Sequence, residues 1–216
     1  MDKTDASTET IDPKDVALKM RLDYLHGVKD PSAKALDAIV GLCSRIEESC
    51  LSIEDLTNET ADLIVKHFSI RSVAIASKDH HDGLLRYKAV LGVDQETAEG
   101  FRKLAYTEKQ ALDPGNYPSH EISSHTRLYL GEDHPYADGE EFTYRVPSLI
   151  GVETRKSLTD SIEADYVDFF MFGPDRDLLG WIEVSGTRMR KLPDATTLRW
   201  IELIAYILGF ALRPTK

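Results

Sequence analysis

Apolar residues recur along this chain at two spacings, and the points where the spacing changes divide it into elements. Leu36, Ile39, Val40, Cys43, Ile46 and Cys50 follow at three- and four-residue steps, one face of a helix, with Ser32 ahead of them as a candidate N-cap. Ile53, Leu56, Leu63, Ile64 and Phe68 repeat the pattern in a second helix ending near His67. The period then shortens. Val73 to Ala76 is a compact β-type run, Asp82-Gly83 is a turn signal, and Leu85 to Leu91 reads as the returning strand of a hairpin closed by Gly92. Asp94 to Tyr106 predicts a helix with Ala98, Phe101, Leu104 and Ala105 on its apolar side. Tyr166 to Phe172 is an aromatic-rich strand, Gly173-Pro174-Asp175 opens a turn, and Leu179 to Val184 returns. A last helix, capped by Asp194 or Thr196, carries Leu198, Ile201, Ile204, Ala205, Leu208 and Leu212 along one side until Pro214 stops it.

Two regions lack such order. Residues 1–12 hold too few apolar groups to offset the entropy of ordering them and are expected to be a disordered tail. Asp12-Pro13 then opens a short helical extension over 13–31, running through Leu25 and halted by Gly27. Residues 107–160 carry Asp113-Pro114-Gly115, Tyr117-Pro118, His134-Pro135 and Val146-Pro147, with short β-like pieces at Arg127 to Leu130 and Phe142 to Tyr144. A connection of this length is typical of ligand-covering segments, although an elaborated loop with edge strands fits the same pattern. Residues 32–213 read as one α+β domain, a mostly antiparallel sheet with helices against one face, because tight turns join antiparallel neighbours.

Charge and cysteine usage narrow the partners. A formal net charge of −11 over 216 residues argues against nucleic acid, whose phosphates repel such a surface. The densest basic stretch, Arg188, Arg190 and Lys191, suits a turn. Cys43 and Cys50 stand two helical turns apart, about 10 Å, too far for a disulfide within the helix. The polar, acidic start does not read as a signal peptide, and no apolar run approaches the roughly 20 residues that span a bilayer, so a cytoplasmic protein without membrane attachment is expected.

The strand RSVAIAS, its partner LLRYKAVLG, and the closing LLGWIEVSG followed by the helix TLRWIELIAYILGFAL resemble the GAF domain family over about residues 33–212. The resemblance implies a six-stranded antiparallel sheet, the helices of both termini on one face, and a ligand pocket on the other under a mobile layer, here 107–160. It also implies homodimers through the terminal helices and signalling through an output domain. None fits in these residues, so a stand-alone member acting on a separate output protein is expected. Relatives that attach a bilin do so through a pocket-side cysteine, and none follows Cys50. Free methionine sulfoxide reductases need pocket cysteines, whereas Cys43 and Cys50 share the early helical stripe. The Asn-Lys…Phe…Asp-Glu signature of cyclic-nucleotide binders is missing. The expected function is therefore non-catalytic small-molecule sensing. A ligandless dimerisation module is the alternative, and a metal-binding or redox enzyme a minor one.

Candidate residues follow from this reading. The stripe Leu36, Ile39, Cys43 and Ile46 is a candidate dimer interface. Alternation sets Phe170 and Phe172 on one sheet face and Phe169 on the other. A pocket would be lined by Trp181 or Phe169, with Tyr144 and Arg145 arriving from the cover and Arg145 meeting an anionic ligand group. His120, His125 and His134, beside Glu132 and Asp133, are weak metal candidates because their spacing matches no fixed ligand pattern. His80 and His81 belong to a solvated turn, and neither Ser119-His120 nor Ser123-Ser124-His125 makes a hydrolase motif. No cofactor is identifiable; an unknown small-molecule ligand is the expectation.

Overall fold

The structure, a computed structural model, describes residues 18–22, 31–48 and 51–213. The expected tail at 1–12 and the cysteine at 50 lie outside the described residues, and of the 13–31 extension a helical stretch at 18–22 and the start of the next helix fall within them.

Helix α1 spans Pro31–Glu47. It begins one residue before Ser32, which therefore lies inside the first turn and is not the cap; the fixed φ of proline suits that opening position. Helix α2, Ile53–His67, is capped by Ser52, whose side chain accepts the Asp55 N–H. Strands β1 (Val73–Lys78) and β2 (Leu85–Leu91) form the first hairpin. Gly83 takes the left-handed conformation its turn needs, at φ +74°, and Arg86 grips the Asp82 carboxylate with both guanidinium nitrogens.

Helix α3 covers Gln95–Lys103 and is shorter than its apolar pattern predicts. Leu104 is extended and Ala105–Tyr106 forms a strand, β3, on the open edge of β2, where pairing satisfies its backbone. Beyond it come a one-turn helix α4 (Glu108–Ala111), strands β4 (His120–Glu121) and β5 (Thr126–Tyr129), and short 3-10 turns. The expected β-like piece at Phe142 to Tyr144 is one of these turns, Glu141–Thr143; the Phe142 ring packs where Gly100 of α3 leaves room, which draws the segment onto that helix. Strands β6 (Tyr166–Phe172) and β7 (Leu178–Ser185) make the second hairpin, and helix α5 (Ala195–Ala211) closes the domain with Asp194, not Thr196, as its cap.

All seven strands join one antiparallel sheet in the order β3-β2-β1-β7-β6-β5-β4. The count is one above the expected six and includes a two-residue strand at each edge. β1 and β7 pair at the centre, Ile75 opposite Ile182. On one face α1, α2 and α5 bury Ile39, Leu42, Ile64, Phe169, Ile182 and Ile204 in a continuous apolar core. On the other, Tyr87, Phe101, Phe170 and Trp181 pack beneath α3 and the irregular middle of the chain.

Candidate ligand pocket

The second sheet face combines aromatic rings with carboxylates. Central β1 presents only Ala74 and Ala76 there, and this low floor leaves space for larger side chains of its neighbours. Tyr87 of β2 meets Phe101 edge-on at 4.8 Å and Trp181 of β7 at 5.5 Å; Tyr106 of β3 meets Trp181 at 5.9 Å and Tyr117 at 6.3 Å. Tyr87, Tyr106, Tyr117 and Trp181, with Tyr129, Tyr166, Phe170 and Ala111, border a cavity of about 30 Å³.

Two carboxylates belong to the same lining, Asp168 of β6 and Glu183 of β7. They stand directly opposite one another in the β6–β7 register, so both project to this face. Like charges at paired positions repel, and a buried carboxylate loses hydration. Asp168 is 7% exposed, and its Oδ1 is buried without a hydrogen-bond partner among the described residues. Burial, reinforced by the Glu183 charge, pushes the Asp168 carboxyl well above the usual aspartate range. Glu183 lies deep in the domain yet keeps some surface toward the cavity; burial raises it to about 7, against the hydrogen bond it accepts from Tyr87 Oη at 2.6 Å.

The cover is fastened by other carboxylates. Glu140 accepts from the Tyr106 hydroxyl at 2.8 Å, the Tyr117 hydroxyl at 2.9 Å and the Ala137 N–H at 3.0 Å, tying β3 to the middle segment. Asp165, just before β6, accepts from Gly131 N–H, Ile162 N–H and the Arg155 guanidinium, which also pairs with Glu132. Burial raises the Asp165 carboxyl, and Arg155 and the two N–H donors oppose the rise.

Trp181 lines this cavity, whereas Phe169 lies on the opposite face within the helix-side core. Tyr144 is half-buried against Tyr136, close enough to Glu183 that burial and that charge together push its hydroxyl far up. Arg145 is exposed and is not among the lining residues, so the charge facing the cavity is acidic and not the basic group the sequence suggested. His120 bonds Asp133 at 2.8 Å, His125 contacts Ser124 at 2.9 Å, and His134 contacts Tyr136 at 3.2 Å; the three do not converge, and no group of three or more metal-ligating side chains occurs among the described residues. His80 and His81 are exposed in the first turn. Within α1, Ile39 is buried in the domain's own core, Cys43 and Ile46 are half-buried against it, and Leu36 is exposed. A larger open groove of about 640 Å³ runs along the far edge past Arg127, Arg176, Arg213 and Glu121, where charges of both signs meet solvent. No helix among the described residues is long and apolar enough to cross a membrane.

An antiparallel sheet with the terminal helices on one face and a covered pocket on the other is the GAF-domain fold. Solved structures similar to it include the GAF domain of a phosphoenolpyruvate-protein phosphotransferase from Acinetobacter, 12% identical at a TM-score of 0.51 over 82% of this chain and 91% of that one. A GAF domain/HD domain protein from Geobacter sulfurreducens is 10% identical at 0.52, over 76% and 93%. The GAF domain of a phosphoenolpyruvate-protein phosphotransferase from Coxiella burnetii is 10% identical at 0.51, over 82% and 90%. No family model matches the sequence, and no curated protein is similar to it.

Proposed function

We propose that this chain is a non-catalytic sensory domain that takes a small molecule between its sheet and the cover formed by residues 107–165. The observation that supports it is the covered cavity itself. A sheet face wholly committed to packing would carry matched apolar side chains, yet this one carries two opposed carboxylates and a ring of tyrosines at a cavity. Because Glu140 joins the hydroxyls of Tyr106 and Tyr117, a ligand that displaces either ring also loads the cover, and the change reaches the helices through β6 and β7. The output is read by a second copy or a separate signalling protein.

One feature favours association on its own. Leu203, Tyr206 and Phe210 of α5 are 42%, 65% and 63% exposed, at spacings that set them on one helical stripe. A ligandless dimerisation module would need that stripe and not the cavity. Native mass spectrometry of protein purified without added ligand separates the two readings, since it reports subunit number and retained small molecules together. A retained or screened metabolite whose binding is lost in Trp181→Ala supports sensing. Dimers that neither retain nor respond to any small molecule contradict it.

A further inference from the structure

We infer that the pocket selects a compact organic cation, a primary or methylated ammonium group, held between the Asp168 and Glu183 carboxylates and the ring faces among Tyr87, Tyr106 and Trp181 that border the cavity. This rests on the sensory reading above and specifies its ligand class.

Three observations carry it. The first is the unpartnered Oδ1 of Asp168, an acceptor enclosed at 7% residue exposure beside a cavity. An acceptor so placed calls for a donor, and an ammonium group supplies several. Next is the pairing of Asp168 with Glu183 across the strand register, which concentrates negative charge that one cation would relieve. Last is the aromatic wall: Tyr87, Tyr106 and Trp181 pack edge-to-face on one another at 5.5–6.5 Å and line the same cavity, and a ring face left open to it attracts an ammonium group through its quadrupole. A cavity of about 30 Å³ has room for about one water-sized group, so an ammonium or methylammonium head fits it and a bulkier methylated one enters only as the rings and cover give way.

The competing groups around the two acids are few. Tyr87 Oη donates to Glu183, as does the Trp181 indole N–H, the Tyr129 hydroxyl hydrogen-bonds Asp168 and leaves its Oδ1 unpartnered, Arg127 of β5 stands opposite Asp168 but rests over the Phe170 ring at 5.2 Å, and Glu140 adds further negative charge near Glu183. Burial favours the protonated form of both acids in the free protein, and a bound cation favours the charged form. Affinity therefore increases as pH rises through about 7, where Glu183 ionises.

The test is titration of the full chain carrying Trp200→Phe, so that Trp181 is its one tryptophan, with methylammonium and tetramethylammonium followed by fluorescence and calorimetry. tert-Butanol serves as a neutral probe and acetate as an anionic one. Saturable binding of the ammonium probes is expected, at least tenfold tighter than tert-butanol, tighter at pH 8 than at pH 6, and weakened at least tenfold by Asp168→Asn. Should that variant not fold, Glu183→Gln is expected to weaken binding and to flatten its pH dependence. Equal binding of tert-butanol or acetate, or full retention of affinity in the carboxamide variants, overturns the inference. If Trp181 responds to a neutral or anionic metabolite and to no ammonium probe, the ligand class is wrong while sensing stands. If it responds to nothing, both fall.

Discussion

At the scale of single residues, the domain is governed by carboxyl groups placed where water does not reach them freely. Glu183 is an acid whose value in the fold, about 7, lies above its ordinary 4.5, so the folded state binds its proton more tightly than the unfolded chain does. The sign follows directly: the stabilisation is complete below pH 4.5 and disappears as pH rises toward 7. Chemical denaturation of the ligand-free protein should therefore show stability falling by about 3 kcal/mol across that window, and Glu183→Gln should remove this part of the slope. Asp165 behaves differently because Arg155 answers its charge. Replacing Arg155 with Met strands a carboxylate whose side chain has no exposed surface, and a loss of roughly 3 kcal/mol is expected at pH 8, becoming smaller as pH falls and Asp165, whose carboxyl burial raises, takes a proton. An unchanged midpoint at pH 8 would show that the pair does not fasten the cover. Phe169 and Tyr106 separate the two sheet faces. Phe169→Ala opens a hole in the helix-side core and should cost about 3–5 kcal/mol, whereas Tyr106→Phe removes only the hydroxyl that reaches Glu140 and should leave a folded domain with a loosened cover.

Among elements, caps and close approaches decide what each segment can do. Asp194 accepts the Thr197 N–H at 2.8 Å, so Asp194→Ala should lower stability by about 1 kcal/mol and Asp194→Ser should largely restore it. Gly180 of β7 passes so near β1 that an added Cβ would lie 2.2 Å from the Ala76 carbonyl oxygen. Because backbone cannot step aside as a side chain can, Gly180→Ala should destabilise by about 1–3 kcal/mol, read from a thermal melt. Elements of this kind also show what the sequence makes visible. The limits of β2 and β6 coincide with their predicted ranges because alternation and flanking turn residues are local signals. Strand β3 is two residues long, and its pairing depends on the free edge of β2, which no local pattern encodes. Alternation separated Phe169 from Phe170 but could not say which face the helices would cover, a matter of tertiary packing. Asp168 and Glu183 carry a signal that periodicity alone does not turn into a site: each is a lone carboxylate inside an otherwise largely apolar strand, YVDFFMF and WIEVS. Their juxtaposition required the register between two strands, and the ties through Glu140 and Arg155 required contacts that span tens of residues.

For the whole molecule, the two faces of the sheet have separate duties. One is sealed by α1, α2 and α5, so Ile39→Glu, placing a charge in that core, should unfold the chain and not merely separate subunits. Association, where it occurs, should depend on the exposed stripe of α5. Sedimentation is expected to show Phe210→Glu shifting dimer to monomer with the circular dichroism of the fold retained. The other face lies beneath α3 and the irregular middle of the chain, and sensing requires that layer to respond when the pocket fills. Hydrogen–deuterium exchange of the full chain, with and without saturating methylammonium, tests this most directly. Slower exchange is predicted in the segment around Tyr117 and Glu140 and in β6 and β7, with helix α2 little changed. Identical exchange across the cover, despite binding shown by calorimetry, would contradict the account.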